Sequence, residues 1–276
     1  MYRTINVSGK LLPLSRPVVM GIINATPDSF YSQSRTQASR DISARADEII
    51  AEGGVMIDVG GCSTRPGFTD IGEEEEMMRL RAALEAVRQA QPDSIVSVDT
   101  FRPDVARMAV EEYGASIIND VAGGWGTMEP HTGQPDELPP MFAMVAKLQV
   151  PYVFTSHCGT ICDMTADISH AVSQLHGLGV NDIIADPGFG FGKTLDQNYT
   201  ILAHLSQLKA LDLPMLVGVS RKSMATRLLG VTAGEALNAT TSLHTAALLG
   251  GASILRAHDV REAVETCRVV AKLMES

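Results

Sequence analysis

The chain has 276 residues and a net charge of −10, and 45% of its residues are hydrophobic while only 5% are aromatic. The acidic balance argues against nucleic-acid or membrane partners, although a local cluster of Arg and Lys can still receive a small anionic substrate. Four cysteines are too few for a disulfide scaffold, and neither a signal-peptide core nor a run of about 18 apolar residues occurs, so we expect a cytoplasmic protein.

Short apolar segments with strand character recur along the chain, and a polar residue ends or follows each of them. In chain order these segments are 18–23, 55–59, 95–98, 116–118, 151–155, 183–185, 214–219 and 253–255. The polar residues near their ends include Asn24, Asp58, Asp99, Asn119, Asp186, Lys222, Arg256 and His258. Burial of each without a partner costs about 2 kcal/mol or more, so the set indicates a functional site rather than polar residues buried in the core by chance.

Helices are predicted between these segments from apolar spacing, glycine stops and prolines at helix starts. Their predicted ranges are 42–52, 73–87, 103–113, 141–148, 167–178, 195–208, 223–229, 234–249 and 260–274. The acidic run Glu73–Glu76 begins the second helix, where negative charge favours the helix N-terminus and no ligand is needed.

The alternation of strand and helix predicts parallel pairing through right-handed crossovers. Eight such units favour a closed (β/α)8 barrel of the TIM type over an open doubly wound sheet, which would carry a dinucleotide fingerprint after its first strand. We therefore predict an α/β fold with one barrel domain over residues 1–276. In a closed barrel the carboxyl ends of the strands meet at one rim, and the polar residues there would face one cavity.

Two local patterns suggest other chemistry. The glycine-rich loop that ends at Lys193 and Thr194 resembles a phosphate-binding loop, but its spacing is one residue short and Pro187 stands where the first glycine belongs. Cys158 and Cys162 lie beside His157, yet no second ligand pair follows at zinc spacing, so we interpret them as ordinary thiols.

The chemistry of the strand ends predicts what the cavity binds. Asp99, Asn119 and Asp186 are acceptors suited to the N–H edge of a heteroaromatic ring. The cationic candidates, which suit phosphate or carboxylate oxygens, are Arg65, Arg221, Lys222, Arg256 and His258. Asp58 belongs either to this site or to a brace for the loop that follows it. A planar ring rich in donors and an anion should therefore bind together.

Several longer motifs resemble the dihydropteroate synthase family in order along nearly the whole chain. They are Met20-Gly-Ile-Ile-Asn24-Ala-Thr-Pro-Asp-Ser-Phe30, Asp58-Val-Gly-Gly-Cys-Ser-Thr64-Arg65-Pro-Gly, Val98-Asp99-Thr, Ile118-Asn119-Asp120-Val, Asp186-Pro-Gly-Phe-Gly-Phe191-Gly-Lys, Ser220-Arg-Lys222-Ser223 and Arg256-Ala-His258-Asp-Val. The resemblance implies a (β/α)8 barrel that acts as a homodimer. It also implies a transferase that joins 6-hydroxymethyl-7,8-dihydropterin pyrophosphate to p-aminobenzoate in folate biosynthesis, a reaction that sulfonamides block.

The family pattern also implies roles for single residues. Asp99, Asn119, Asp186 and Lys222 would bind the pterin, with Arg256 against it. Thr64, Arg65, Arg256 and His258 would hold pyrophosphate, and Asn24 would ligate Mg²⁺ on it. Phe30, Thr64, Phe191 and Ser223 would surround p-aminobenzoate. The chemistry itself would fall to Asp99, Arg65, Lys222 and His258.

Three positions depart from the family pattern. Tyr31–Ser34 replace an Asp-Gly-Gly stretch, Cys62 stands where Glu is common, and Thr155-Ser156-His157 replace Met-His-Met. Two alternatives stay open: a catalytically silent pterin-binding paralogue, suggested by the altered first loop, and a related barrel enzyme, a methyltetrahydrofolate–corrinoid methyltransferase. The second would need no pyrophosphate-binding cations, so Arg65, Arg256 and His258 argue against it.

Overall fold

The computed structural model describes residues 4–25, 35–62, 70–128 and 137–275. Its strands are β1 (Thr4–Val7), β2 (Lys10–Pro13), β3 (Val18–Asn24), β4 (Met56–Gly60), β5 (Ile95–Asp99), β6 (Ile117–Asp120), β7 (Tyr152–Thr155), β8 (Ile183–Asp186), β9 (Leu216–Val217) and β10 (Ile254–Ala257). Its α-helices are α1 (Arg35–Ala51), α2 (Glu73–Ala90), α3 (Pro103–Tyr113), α4 (Pro140–Leu148), α5 (Ile161–Gly177), α6 (Leu195–Ala203), α7 (Ser223–Leu229), α8 (Leu237–Gly250) and α9 (Val260–Met274).

Strands β3 to β10 form one parallel sheet in the order β8-β7-β6-β5-β4-β3-β10-β9. The two outer strands meet where Ala185 pairs with Met215 and donates its N–H to the carbonyl of Pro214 at 2.9 Å. This pairing closes the sheet, and the predicted (β/α)8 barrel is confirmed.

Helix α1 begins at Arg35, seven residues before its predicted start, and α8 begins at Leu237, three residues after its predicted start. Two further helices also differ from the prediction. Helix α5 begins at Ile161, six residues earlier than expected, because the Thr160 hydroxyl caps it by accepting the N–H of Asp163 at 3.2 Å. The predicted helix 195–208 divides into α6 and a 3₁₀ helix over Leu205–Leu211. Neither change moves a strand end, so the rim of the barrel is unaffected.

The amino-terminal end of the barrel carries a hairpin that the sequence analysis missed. Strands β1 and β2 pair antiparallel around a turn at Ser8 and Gly9, both of which have positive φ (50° and 81°). Such a two-residue turn suits a hairpin because its backbone twist matches that of the strands. Ile5 and Val7 lie buried against the barrel floor.

Side chains of the same strands form two layers inside the barrel, because alternate residues point inward. The layer near the hairpin is apolar, and its inward members are Met20, Met56, Ile117, Val153, Ile184, Leu216 and Ile254. The next inward positions toward the carboxyl ends are polar on most strands, for example Asp58 on β4 and Asp186 on β8. The outward residues pack against the helices in a separate, larger apolar core.

None of the helices in the described part of the chain combines the length and the apolar character that a membrane span requires.

Candidate active site

Six polar residues from five strand ends and one adjoining loop converge at the carboxyl end of the barrel. They are Asp58, Asp99, Asn119, Asp186, Lys222 and Arg256, and we call them the strand-end basin. Their convergence follows from strand register, since Asp99 pairs with Asn119 across β5 and β6, and inward positions alternate along each strand. The predicted meeting of distant acidic and basic end groups is present in the structure.

Arg256 joins two buried carboxylates at the centre of the basin. Its Nε donates to Asp58 Oδ2 and its Nη2 donates to Asp99 Oδ2, both at 2.6 Å. Burial alone works to lower the pKa of Arg256, but Asp58 and Asp99 outweigh it and raise that pKa. The guanidinium is therefore charged and held in one orientation.

Asp58 and Asn119 each have one buried acceptor atom without a partner among the described residues. Asn119 Nδ2 donates to Asp58 Oδ2 at 3.1 Å, so Asp58 braces Arg256 and Asn119 and belongs to the site. The second oxygen of each side chain, Asp58 Oδ1 and Asn119 Oδ1, is buried and has no hydrogen-bond partner within the described ranges. Buried acceptors are normally satisfied, so these two atoms favour a ligand that carries N–H donors.

The ionisation of the basin is shaped by its burial. Burial raises the pKa of Asp99 to about 7; Arg256 opposes that rise, while Asp58 and Glu76 add to it. Burial also raises the pKa of Asp186 above its ordinary value, against the effect of Lys222. The pKa of Lys222 is lowered to about 8 by burial, although Asp186 acts in the opposite direction. Such shifts are typical of functional sites.

Lys222 and Phe191 form one wall of the basin. The Lys222 ammonium donates to the carbonyl of Phe189 at 2.7 Å and lies 4.6 Å from the centre of the Phe191 ring. The Phe191 ring also stacks on the imidazole of His157, with ring centres 5.8 Å apart and planes 8° from parallel. The departure from the family at His157 therefore touches a predicted substrate-binding residue.

The loop after β8 is held by Lys193 rather than free to cradle a phosphate. The Lys193 ammonium donates to the carbonyls of Ser156 and Gly188 at 3.0 Å and to that of Phe191 at 3.4 Å. Gly188 has φ 65°, and a Cβ there would lie 2.3 Å from the Ser156 oxygen. This arrangement uses the lysine to fix the loop and gives the phosphate-loop alternative no support.

Three further predicted site residues lie at the rim. Asn24 ends β3 with an exposed side chain, and Ser223 is the first residue of α7. His258 is half-buried, and its backbone N–H donates to the hydroxyl of Ser220 at 3.1 Å. Arg221, which was predicted to receive anion oxygens, forms an ion pair with Asp259. Phe30, Thr64 and Arg65 lie outside the described residues.

One buried ion pair beside the basin escaped the sequence analysis. Glu76 is fully buried and accepts a hydrogen bond from Arg102, which also binds Asp70. Glu73–Glu76 lie in the first turn of α2 as predicted, and the contact of Glu76 with Arg102 adds a buried partner to that helix start. Burial raises the pKa of Glu76, with hydrogen bonds from Thr100 and Arg102 acting against the rise. An Arg just after a strand end was the one signal that could have identified this partner.

Comparisons with known proteins agree with the geometry. A family model described as pterin binding enzyme matches residues 20–258. Dihydropteroate synthase of Escherichia coli (strain K12) is 38% identical over 272 residues, covering 95% of this chain and 93% of that protein. The structure of Xanthomonas albilineans dihydropteroate synthase with 4-aminobenzoic acid has a TM-score of 0.87 at 32% identity and covers 100% of both chains. That of Yersinia pestis dihydropteroate synthase with a sulfonamide drug complex has a TM-score of 0.84 at 33% identity, covering 99% of this chain and 100% of that one.

Proposed function

Because this chain belongs to the pterin binding enzyme family, and within it to the dihydropteroate synthases, we propose that the strand-end basin is its catalytic centre. The chain is a transferase of folate biosynthesis that condenses 6-hydroxymethyl-7,8-dihydropterin pyrophosphate with p-aminobenzoate. The observation that carries the assignment of the centre is the pair of buried acceptors, Asp58 Oδ1 and Asn119 Oδ1, which have no partner in the described part of the chain and lie beside a fixed Arg256.

The pterin ring would bind with its N–H edge toward the acceptors of the basin. Asn119 and Asp186 offer oxygens there, and Lys222 offers a donor to a ring acceptor. Arg256 is held flat between Asp58 and Asp99 at 2.6 Å from each, which suits stacking against a planar ring. Buried, fully oriented polar groups bind such a ring selectively, because an analogue lacking its N–H groups leaves them unpaired.

The reaction needs charge stabilisation more than a protein nucleophile. The bond between the pterin methylene carbon and the pyrophosphate oxygen breaks, and pyrophosphate leaves with the electron pair. The carboxylate of Asp99 would stabilise the positive charge that develops on the methylene. The amine nitrogen of p-aminobenzoate forms the new bond and then releases a proton to solvent.

The leaving group would be received at the rim by cations. Arg256 and His258 lie on and just after β10, and Arg65 with Thr64 would complete the set by the family pattern. A pyrophosphate gains charge as its bond to carbon breaks, so cations placed there lower the barrier.

Mg²⁺ fits this rim only as an ion carried by the substrate. Asn24 presents one amide at the exposed end of β3, and no group of three His, Cys, Asp or Glu residues that could hold a metal occurs in the described ranges. Mg²⁺ commonly uses one or two protein ligands together with substrate phosphates and waters. Bound through Asn24, it would neutralise negative charge on the pyrophosphate.

p-Aminobenzoate would lie against Phe191 and near Ser223. The Phe191 ring contacts the Lys222 ammonium and stacks on His157, and Ser223 directly follows Lys222 at the start of α7. Phe30 and Thr64 are assigned to the same pocket by the family pattern. Sulfonamides would bind there in place of p-aminobenzoate.

We further propose that the chain acts as a homodimer in the cytoplasm. Support for the dimer comes from exposed apolar residues on α7, α8 and α9, namely Leu228, Leu229, Leu249, Val269, Leu273 and Met274. Support for the cytoplasm comes from its cysteines, all four of which are free thiols. Sedimentation of the wild type and of Val269→Glu tests the dimer: the variant should be monomeric, and an unchanged mass would place the interface elsewhere.

A coupled phosphate assay tests the function directly. Purified chain with dihydropterin pyrophosphate and Mg²⁺ should release pyrophosphate only when p-aminobenzoate is added. Asn24→Ala should require more Mg²⁺ for half-maximal rate. Pterin binding without release would favour the catalytically silent paralogue, and release that ignores p-aminobenzoate would contradict the assignment.

A further inference from the structure

The ends of β9 and β10 are joined by two side-chain contacts just outside the basin. Nε and Nη2 of Arg221 donate to the two carboxylate oxygens of Asp259 at 2.9 and 2.5 Å. One residue before each partner, the Ser220 hydroxyl lies 3.2 Å from Nδ1 of His258 and accepts its backbone N–H. We call these four residues the β9–β10 clasp.

The backbone of Arg221 is in a conformation that an arginine rarely adopts. Its φ is 53°, in the left-handed region that is unfavourable for a non-glycine residue. The Arg221 N–H is held there by the hydroxyl of Thr240 on α8, at 3.0 Å. A left-handed residue persists only where its surroundings fix it, and such residues occur often at functional sites. Glycine would relieve the strain but could not bind Asp259.

Asp259 is fixed as firmly as its partner. Its backbone carbonyl accepts the N–H of Ala263 in the first turn of α9 at 3.1 Å, so its position is set by that helix. The carbonyl of the preceding His258 accepts a hydrogen bond from Arg45 on α1. The Arg221 hydrogen bonds hold the pKa of the Asp259 carboxyl below its ordinary value, against the effect of partial burial. A charged Asp259 on a rigid helix is an anchor for the loop after β9.

We propose that the Arg221–Asp259 ion pair is a positioning pair that sets His258, at the pyrophosphate end of the site, relative to Lys222, which would bind the pterin. Lys222 directly follows the left-handed residue, so the φ of Arg221 sets the backbone direction from which the Lys222 side chain reaches the Phe189 carbonyl. His258 directly precedes Asp259, so the same ion pair fixes the imidazole from the other strand. Neither Arg221 nor Asp259 needs to touch the substrate.

The proposal rests on the proposed function, because the ligand of Lys222 and His258 is taken from it. A change in the pair should weaken the binding of the substrate that carries pyrophosphate more than the binding of p-aminobenzoate, whose pocket also depends on Phe191. A purely structural role would instead reduce the amount of folded chain and leave the kinetic constants of each folded site unchanged.

A double-mutant cycle with Arg221→Gln and Asp259→Asn tests the pair. Each single variant should lower kcat/KM for dihydropterin pyrophosphate by about tenfold. The double variant should be no worse than either single variant, because each substitution removes the same ion pair. Arg221→Lys, which keeps the charge and one contact, should retain more activity than Arg221→Gln. The exposed pair Arg107 and Asp104 on α3, whose side chains are 3.2 Å apart, gives the matched control, and Arg107→Gln with Asp104→Asn should change nothing.

Calorimetric titration with inorganic pyrophosphate adds a readout that needs no turnover. Wild type and control should bind pyrophosphate alike, and Arg221→Gln and Asp259→Asn should bind it about tenfold more weakly while their thermal midpoints stay within a few degrees. Additive losses in the cycle, or unchanged pyrophosphate affinity, would overturn the proposal. A wild type without turnover would contradict the proposed function, and the pyrophosphate titration would still decide the role of the pair.

Discussion

The two ends of the barrel are built from the same strands and differ in almost every property. At the amino end, inward residues such as Ile184 and Leu216 are fully apolar, and the β1–β2 hairpin covers them. At the carboxyl end, two residues further along β8, Asp186 is buried beside Lys222. A short distance along one strand thus separates a layer that stabilises the fold from a layer that is costly to fold and useful for chemistry.

The strongest test of this contrast is a cavity in the apolar layer. Ile184→Ala removes a fully buried side chain, so it should lower the free energy of unfolding by about 2–5 kcal/mol. Because Ile184 belongs to the apolar layer and not to the basin, kcat/KM at a temperature where the variant is folded should match wild type. Urea unfolding and steady-state kinetics on the same preparation check both parts; a large loss of kcat/KM would show that the two layers are coupled.

The matching change at the opposite end is Asp99→Asn. The amide keeps the shape of the side chain and one acceptor, so the fold should survive, with a thermal midpoint near that of wild type. Loss of the aligned charge should raise the barrier by about 3 kcal/mol, roughly a hundredfold in kcat. Turnover near wild type would remove Asp99 from the mechanism and leave it a structural partner of Arg256.

The pH dependence of kcat/KM should reflect the ionisation of the polar layer at the carboxyl end of the barrel. With the pKa of Asp99 at about 7 and that of Lys222 at about 8, the carboxylate forms as pH rises through 7 and the ammonium is lost above 8. We expect kcat/KM to be highest between these values and to fall about tenfold per unit on either side. The apparent values belong to the coupled basin rather than to single residues. In Asp99→Asn the fall of kcat/KM at low pH should disappear. If that fall is unchanged, the group that titrates there belongs to the substrate.

A smaller effect is expected where the loop after β8 is held. Lys193→Met leaves the carbonyls of Ser156 and Gly188 without their donor, so Phe191 should lose its fixed position. KM for p-aminobenzoate should rise about fivefold, or roughly 1 kcal/mol, with little change for the pterin substrate. The exposed Lys147 on α4 provides the control, Lys147→Met, which should behave as wild type. An equal rise for both substrates would mean that the loop supports the whole basin.

The difference between the two ends also explains what could be predicted from the sequence. Apolar runs that end in Asp99 or Asp186 predicted both the barrel and the basin, because parallel strands place their carboxyl ends at one rim. The hairpin was missed, although Ser8-Gly9 between two short alternating segments was a usable signal. Such short strands are stabilised by the barrel floor they cover rather than by their own pattern.

Long-range ion pairs were the other limit of the sequence. Glu76 looks like its acidic neighbours in the sequence. Only the structure shows that it is buried and that Arg102 is its partner. Arg221 looks like an anion-binding residue, but it is engaged by Asp259, 38 positions away. Charge type can be predicted from the residue, whereas the choice of partner depends on how the helices bring distant segments together.

A crystal structure with a pterin substrate analogue tests the central claim most directly. We predict that the ring lies in the strand-end basin, with its N–H edge within about 3.2 Å of Asn119 Oδ1 and Asp186 and its face on Arg256. A ring bound outside the barrel rim, or one in the basin that leaves Asn119 Oδ1 and Asp58 Oδ1 unpaired, would contradict the account.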